Sequence, residues 1–341
     1  MNVTIIDVAK KAGVSPSTVS RVISGSTRIS AATTKKVKAV MEDLGYHPNL
    51  MAKNLVSRTT MTIGLLLPRN ADEAFLDIFF SEVTRGILSK ATRAGYDLLL
   101  KTGKSEQEEL EAVTRLVRGR RVDGIILLQS RLDDTVIRYL QQESFPFVLI
   151  GRDPERPDIL SVDNDNVQAA YDVTRHLLEL GHRRIGYASG PLELVVSADR
   201  HEGYRRALGE AGIEPQHSWF VSAELVRTDS TSAVRALMEG PDRPTALVVM
   251  DDLLAFSLLN SLSELGYSVP EDMAVFGFND NPMSPVSSPP ISSVDIGVYY
   301  LGLEAAGLLL RSVKGEQPEE RRVIVSHRLI PRESSQPIKV T

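Results

Sequence analysis

Apolar residues near the start of the chain recur at helical spacing, and turn-forming residues interrupt them. Val8, Ala9 and Ala12 give one face of a helix that Thr4 can cap, with Asp7 three residues on as its reciprocal partner. Gly13 can take the positive φ that stops this helix. Ser15 then caps a second helix, and Pro16 fills its first turn, where no N–H is needed. Val19, Val22 and Ile23 face the first helix, which leaves Ser17, Thr18, Ser20 and Arg21 outside. A third helix is capped by Ser30, carries Val37, Val40, Met41 and Leu44, and stops at Gly45. Two short helices around a tight turn, with short polar groups and one Arg on the outer face, suit a duplex major groove.

From Met61 onward short apolar runs alternate with longer amphipathic stretches. The runs predict strands over 62–67, 96–101, 124–128, 147–150, 184–188, 246–250 and 273–278. Between them, helical periodicity covers 79–94, 106–118, 167–180, 201–211, 231–239 and 253–265. Such βα repetition predicts doubly wound parallel sheets with helices on both faces. The stretch Thr62-Ile63-Gly64-Leu65 is echoed by Arg184-Ile185-Gly186-Tyr187, each followed by a loop and a long helix. That echo predicts two similar α/β lobes with a cleft between them. The expected organisation is a small all-α helix-turn-helix headpiece (1–48), a linking segment (49–61) and a two-lobed α/β domain (62–341).

Charge sharpens the division. Residues 1–58 hold nine basic and three acidic side chains, a net of +6, which leaves −11 on the rest of a chain whose total is −5. A basic head on an acidic body can dock on phosphates without the body adhering to nucleic acid, although chance clustering on a solvated surface also gives such a count. Between head and body, Leu50, Met51 and Leu55 have no evident core to enter. Either this is an ordinary linker, or it forms a short helix capped by Asn49 that wedges Leu55 into a minor groove.

The run Asp7-Val8-Ala9, Ala12-Gly13-Val14-Ser15, Thr18-Val19-Ser20-Arg21-Val22 resembles the headpiece of the lactose-repressor/galactose-repressor (LacI/GalR) family, and the likeness extends over nearly the whole chain. The text around Ser161-Val162-Asp163-Asn164-Asp165-Asn166 is most similar to the maltose-operon repressor branch. The resemblance implies that Pro16, Ser17 and Arg21 read bases. Thr4, Ser15, Thr18, Ser20, Ser24, Arg28, Thr33, Tyr46 and Asn49 would lie near phosphates, with Ala52 and Leu55 in the hinge that meets DNA. Pro16 and Ser17 replace a bulkier polar pair of the lactose repressor, so the operator sequence is not carried over. The resemblance also implies a hinge helix within 49–61 and an effector-binding and dimerisation domain like periplasmic sugar-binding proteins, with its N-lobe at about 62–161 and 294–320 and its C-lobe at about 162–293 and 321–335.

In such lobes the loops after strand ends line the ligand crevice. Those loops hold Arg152, Arg200, Asp251 and Asn279, which offer donors and acceptors for vicinal hydroxyls, and Phe79 and Phe80, which offer aromatic faces for sugar rings. Each has a plain structural alternative: Arg200 as a surface helix residue, Asp251 as a helix cap, Phe79 and Phe80 as core. The resemblance implies effector contacts for Arg200, Asp251 and Asn279. Asn279 stands where the lactose and purine repressors have an aspartate. Leu194 and Val196 replace polar groups that the purine repressor offers its base, which argues against a purine effector.

Other chemistry is thin. Asp163-Asn164-Asp165-Asn166 has the look of a calcium loop, but Gln168 stands where the glycine is needed. The sequence contains no P-loop, GxGxxG, HExxH or GxSxG motif, and there is no cysteine. The six histidines lack metal-ligand spacing; His47, His182 and His201 are expected at the surface or at caps, and Trp219 at the start of a strand. No catalysis, cofactor or metal is expected. No apolar run approaches a membrane span, so a cytoplasmic protein with no membrane partner is expected. The tail from Pro331 to Thr341 lacks a leucine heptad, and palindromic-operator logic needs two headpieces, so a homodimer is expected on double-stranded operator DNA with a small sugar effector. The leading function is a sugar-responsive repressor of maltose or maltodextrin utilisation. A regulator using a corepressor, a sugar-handling enzyme with an accessory DNA-binding arm, and an architectural DNA binder remain open at this point.

Overall fold

The computed structural model describes residues 3–46, 59–68 and 78–335, and the chain divides into two compact units, 1–61 and 62–341. In the first unit, α1 (Ile5–Ala12), α2 (Pro16–Ile23) and α3 (Ala31–Asp43) close over Val8, Ala9, Ala12, Val19, Val22 and Val37, all buried. The expected caps are formed. The Thr4 backbone N–H and hydroxyl both donate to the Asp7 carboxylate, at 2.9 and 2.7 Å. Ser15 Oγ accepts from the Thr18 N–H, and Ser30 Oγ from the Thr33 N–H. Gly13 turns the chain at φ 66°, a conformation a Cβ would disfavour, so α2 can follow α1 after a tight turn.

The second unit holds two parallel sheets. The first runs β11-β5-β4-β3-β1-β2 and the second β7-β6-β8-β9, where β1 is Thr62–Leu66, β2 Asp97–Lys101, β3 Gly124–Leu127, β4 Phe147–Ile150, β5 Ser161–Asp163, β6 Ile185–Ser189, β7 Phe220–Ser222, β8 Ala246–Val249, β9 Ala274–Phe276 and β11 Arg322–Ile324. The central strands are buried on both faces, which is why they read as continuous apolar runs. The helices are α4 (Ile78–Arg93), α5 (Glu106–Arg118), α6 (Thr135–Gln142), α7 (Asn166–Glu179), α8 (Val195–Glu210), α9 (Ala223–Thr228), α10 (Ser230–Met238), α11 (Asp252–Glu264) and α12 (Val298–Val313).

Chain segments cross between the sheets after β5, between β9 and α12, and after β11. The middle and last crossings pair as an antiparallel ribbon, β10 (Ser293–Asp295) with β12 (Arg328–Ile330). One buried side chain ties all three: Asn164 Nδ2 donates to the carbonyls of Ile296 and Val325, each at 2.8 Å.

Several expectations need correction. Val162–Asp163 and Arg322–Ile324, expected in the C-lobe, pair in the first sheet, because β5 and β11 extend it beyond β4. Helix α8 begins at Val195, six residues before the predicted start, because its inner face buries Ser197, Asp199 and Arg200, and polar residues there hide the period. Trp219 ends a short 3-10 turn rather than starting a strand, and its indole N–H donates to the Asp242 carbonyl at 2.7 Å. His182 is buried, with Nδ1 3.0 Å from Thr245 Oγ1, and His201 stacks on Tyr204. His47 lies outside the described residues.

Helices α4 and α12 approach through reciprocal glycines. A Cβ on Gly86 would stand 2.1 Å from the Tyr299 carbonyl oxygen, and one on Gly302 would stand 2.0 Å from that of Val83. Backbone cannot yield as a side-chain tip can, so Gly302→Ala should cost about 1–3 kcal/mol through overpacking. Denaturant unfolding checks this; an unchanged midpoint would show that the helices separate freely.

Candidate functional site

Helix α2 keeps Val19 and Val22 in the headpiece core, so its remaining face is set by helical geometry. Pro16, Ser17, Ser20, Arg21 and Ser24 are exposed, and Thr18 is half-buried. Ser15 Oγ lies 2.8 Å from Ser17 Oγ and 2.9 Å from Thr18 Oγ1, which holds these hydroxyls at the start of the helix. Arg21 has no ionic partner among the described residues, so its guanidinium is available to a base edge. Thr4 and Arg28 are exposed, while Thr33 and Tyr46 are half-buried. Lys11 pairs with Asp43 across α1 and α3. Asn49, Ala52 and Leu55 lie outside the described residues.

In the second unit a cavity of about 770 Å³ opens between the two sheets. Phe79, Phe80, Arg200, Asp251 and Asn279 all line it, although Phe79 and Phe80 stand on α4 and Arg200 on α8 rather than on the strand-end loops where they were expected. Phe79 and Phe80 lie edge to face, ring centres 5.1 Å apart, at the start of α4. Arg200 comes from α8 and is only 4% exposed. Its Nε donates to Asn166 Oδ1 at 2.9 Å, Nη1 donates to the Met250 carbonyl, and the guanidinium lies 4.0 Å from the Phe278 ring centre. Burial pulls its pKa down to about 10, still high enough to keep the cation at neutral pH. Asp251 serves also as the cap of α11, accepting from the Leu254 N–H at 2.8 Å, with Arg227 3.7 Å away. Burial raises its pKa, against the pull of that N–H and of Arg227. Asn279 adopts φ 93° while its N–H donates to the Val294 carbonyl, so a strained turn fixes its side chain at the cavity.

Arg152 does not line the cavity. It reaches from the loop after β4 to α8 and forms a two-point ion pair with Asp199, Nε to Oδ2 at 2.8 Å. Nearby, the Leu132 N–H donates to the Glu193 carbonyl at 3.0 Å and the Val195 N–H to the Ser130 carbonyl at 3.3 Å. These contacts join the lobes along one rim. The same segment brings in Gln129 and Arg131, lining residues that the sequence reading missed, although the rule of loops after strand ends applies equally to β3. Arg131 is held by Glu109 at 3.1 Å and Gln129 at 2.9 Å. Asn164, Asn166 and Arg227 were missed as lining residues too; Asn164 and Asn166 stand in a motif read only for likeness and for calcium.

The wall therefore alternates apolar surface (Leu128, Ile150, Leu194, Val196, Ile296) with amides, carboxylates and guanidinia. That mixture fits a molecule with apolar ring edges and many hydroxyls. Beside it, Asp252 is 1% exposed and accepts from the Ser293 and Ser284 hydroxyls and from the Asn281 N–H, at 2.7–2.9 Å. Burial pushes its pKa up to about 7. The folded state thus binds this proton more tightly than the unfolded chain, whose carboxyl titrates near ~4. The stability it contributes is full below that value and is lost as pH rises through about 7. Relative to Asp252→Asn, the wild-type melting temperature should fall as pH goes from 6 to 8. A pH-independent difference in thermal melts would contradict this.

This architecture, a helix-turn-helix headpiece with a two-lobed cavity-bearing domain, is that of a ligand-binding bacterial regulator. Residues 4–49 match the model for bacterial regulatory proteins of the lacI family, and residues 174–335 match the periplasmic binding protein-like domain. The chain belongs to the lacI family. It is 36% identical to the HTH-type transcriptional regulator MalR of Streptococcus pneumoniae over 97% of this chain and 99% of that one. The structure of the transcriptional regulator CelR in complex with cellobiose aligns with TM-score 0.75 and 33% identity, covering 98% of this chain and all of that one. The lac repressor dimer bound to operator and an anti-inducer aligns with TM-score 0.87 and 26% identity over the same shares. Membership decides for a regulator over a sugar-handling enzyme. Among the described residues no helix is long and apolar enough to cross a membrane.

Proposed function

We propose that this chain is a cytoplasmic repressor that binds a palindromic operator as a homodimer and releases it when a glucose oligosaccharide, maltose or a maltodextrin, occupies the cavity. The carrying observation is the buried Arg200 beside Asp251, Asn279 and the Phe79–Phe80 pair in one cavity. The guanidinium and Asn279 donate to hydroxyls, Asp251 accepts from them, and the aromatic pair covers ring faces. Likeness to MalR and to a regulator in complex with cellobiose supports a disaccharide-sized effector. Pro16, Ser17 and Arg21 are the proposed base readers. Thr4, Ser15, Thr18, Ser20, Ser24, Arg28, Thr33, Tyr46 and Asn49 are the proposed backbone contacts, with Ala52 and Leu55 at the hinge.

Sugar in the cavity favours one arrangement of the lobes over others, and the linker 49–61 carries that preference to operator affinity. Titrating a panel of mono- and oligosaccharides against the chain bound to fluorescent operator tests this. Maltose or maltotriose should release DNA, while monosaccharides and purine bases should not. If the sugar tightened DNA binding, the effector would be a corepressor; if no saccharide shifted either DNA binding or the melting temperature, the reading would fail.

A further inference from the structure

The edge at which the first sheet's strands begin carries cations used by neither the cavity nor the headpiece. Thr62 is in register with Asp97, Ile63 with Gly124, and Ile125 with Phe147, so β1 to β4 start side by side. Helices returning to this edge end in cations: Lys90 and Arg93 on α4, Arg115 and Arg118 on α5. The turn from α5 into β3 adds Arg120 and Arg121, and the Asp123 N–H in that turn donates to the Thr62 carbonyl at 2.8 Å. All six cations are exposed. Arg115 meets Glu111 and Arg118 meets Glu143, each at 3.5 Å on open surface, where such pairs are weak. Arg93, Arg120 and Arg121 have no ionic partner among the described residues. The carboxylates nearby are Asp97, Asp123 and Glu143, while toward β11 the side chains of Glu316, Glu319 and Glu320 are interspersed with Arg311, Lys314, Arg321 and Arg322.

Helix dipoles account for cations in a last turn. They do not account for Arg120 and Arg121, which lie past the helix. Arg120 moreover sits at φ 47°, where glycine or asparagine is the economical choice. A guanidinium stands there against backbone preference. Thr62, bonded to this turn, is also where the chain arrives from the DNA-binding headpiece, so duplex held by the headpiece is tethered to this domain by a short linker. The rest of the domain is acidic and repels nucleic acid.

We propose that the 118–121 turn, with Arg93, contacts the phosphate backbone of duplex DNA flanking the bases read by α2. This adds affinity independent of sequence and lengthens the footprint on each side of the operator. The inference rests on the DNA-binding reading above. Its test uses the full chain and a duplex selected from a random pool by the wild type, in a short form and in one extended by a helical turn at each end. The wild type should bind the extended form several-fold more tightly. Arg120→Gln with Arg121→Gln should remove that advantage and reduce the slope of log K against log salt by about 0.9 for each lost phosphate contact. Arg235→Gln, on the second lobe, should change neither. Equal binding of both duplexes by the double variant and the wild type, with one salt slope, would overturn the proposal. A wild type that selects no duplex over random DNA would overturn the regulator reading, and this inference with it.

Discussion

Arg200→Ala is expected to yield a repressor that holds its operator and no longer responds to sugar. The side chain is almost wholly buried, and its Nε and Nη1 are committed to Asn166 and Met250. What remains of the guanidinium faces the cavity that Asp251 and Asn279 share. Removing it deletes a charged donor where water competes poorly, and strands the groups it satisfied. Hydrogen bonds to charged groups are worth about 1.5–3 kcal/mol each, so sugar affinity should fall more than tenfold. Arg200→Lys keeps the charge yet loses the fork and the guanidinium's place over the Phe278 ring, and should recover only part of the binding. Calorimetry for sugar and anisotropy for operator separate the two functions. Intact sugar affinity in Arg200→Ala would remove Arg200 from the site.

The second large effect falls on the headpiece. Arg21→Ala should weaken operator binding by about 1–3 kcal/mol and relax preference at one base pair, because a bidentate Arg–guanine contact is worth that much in discrimination. The helix itself should survive, since Arg21 is exposed while Val19 and Val22 carry the packing. Binding to random duplex should change much less. An equal loss on operator and on random DNA would make Arg21 a phosphate contact.

Much of this was legible from local chemistry. The headpiece is specified by caps, a turn glycine and a 3.6-residue period, all acting within a few residues, so Thr4, Gly13, Ser15 and Ser30 do in the structure what their spacing predicts. Strands such as Phe147–Ile150 were visible because strands buried on both faces need unbroken apolar runs. Asp251 and Asn279 could be nominated because βα repetition fixes which loops face a crevice, whereas Arg200 reaches the cavity from within α8. Helix α8 was read too short because a buried carboxylate, Asp199, and a buried guanidinium, Arg200, look like surface when no partner is in view.

Sequence by itself determined the three headpiece helices, the basic head and those strands and helices of the body that carry a clear apolar period, since each follows from a short-range pattern, whereas α6, α9, α12, β5, β10, β11 and β12 escaped it. Tertiary structure alone decided that β5 and β11 complete the first sheet, that Asn164 binds three crossing segments, and that Arg152 pairs with Asp199 across the rim rather than facing the cavity. Apart from the pairing of β4 with β5, these are encounters between residues from 47 to 161 positions apart. A side chain's local sequence sets what it can bond, but only the closed fold sets which partner stands within reach, and for Arg152 that partner is a carboxylate on the opposite lobe.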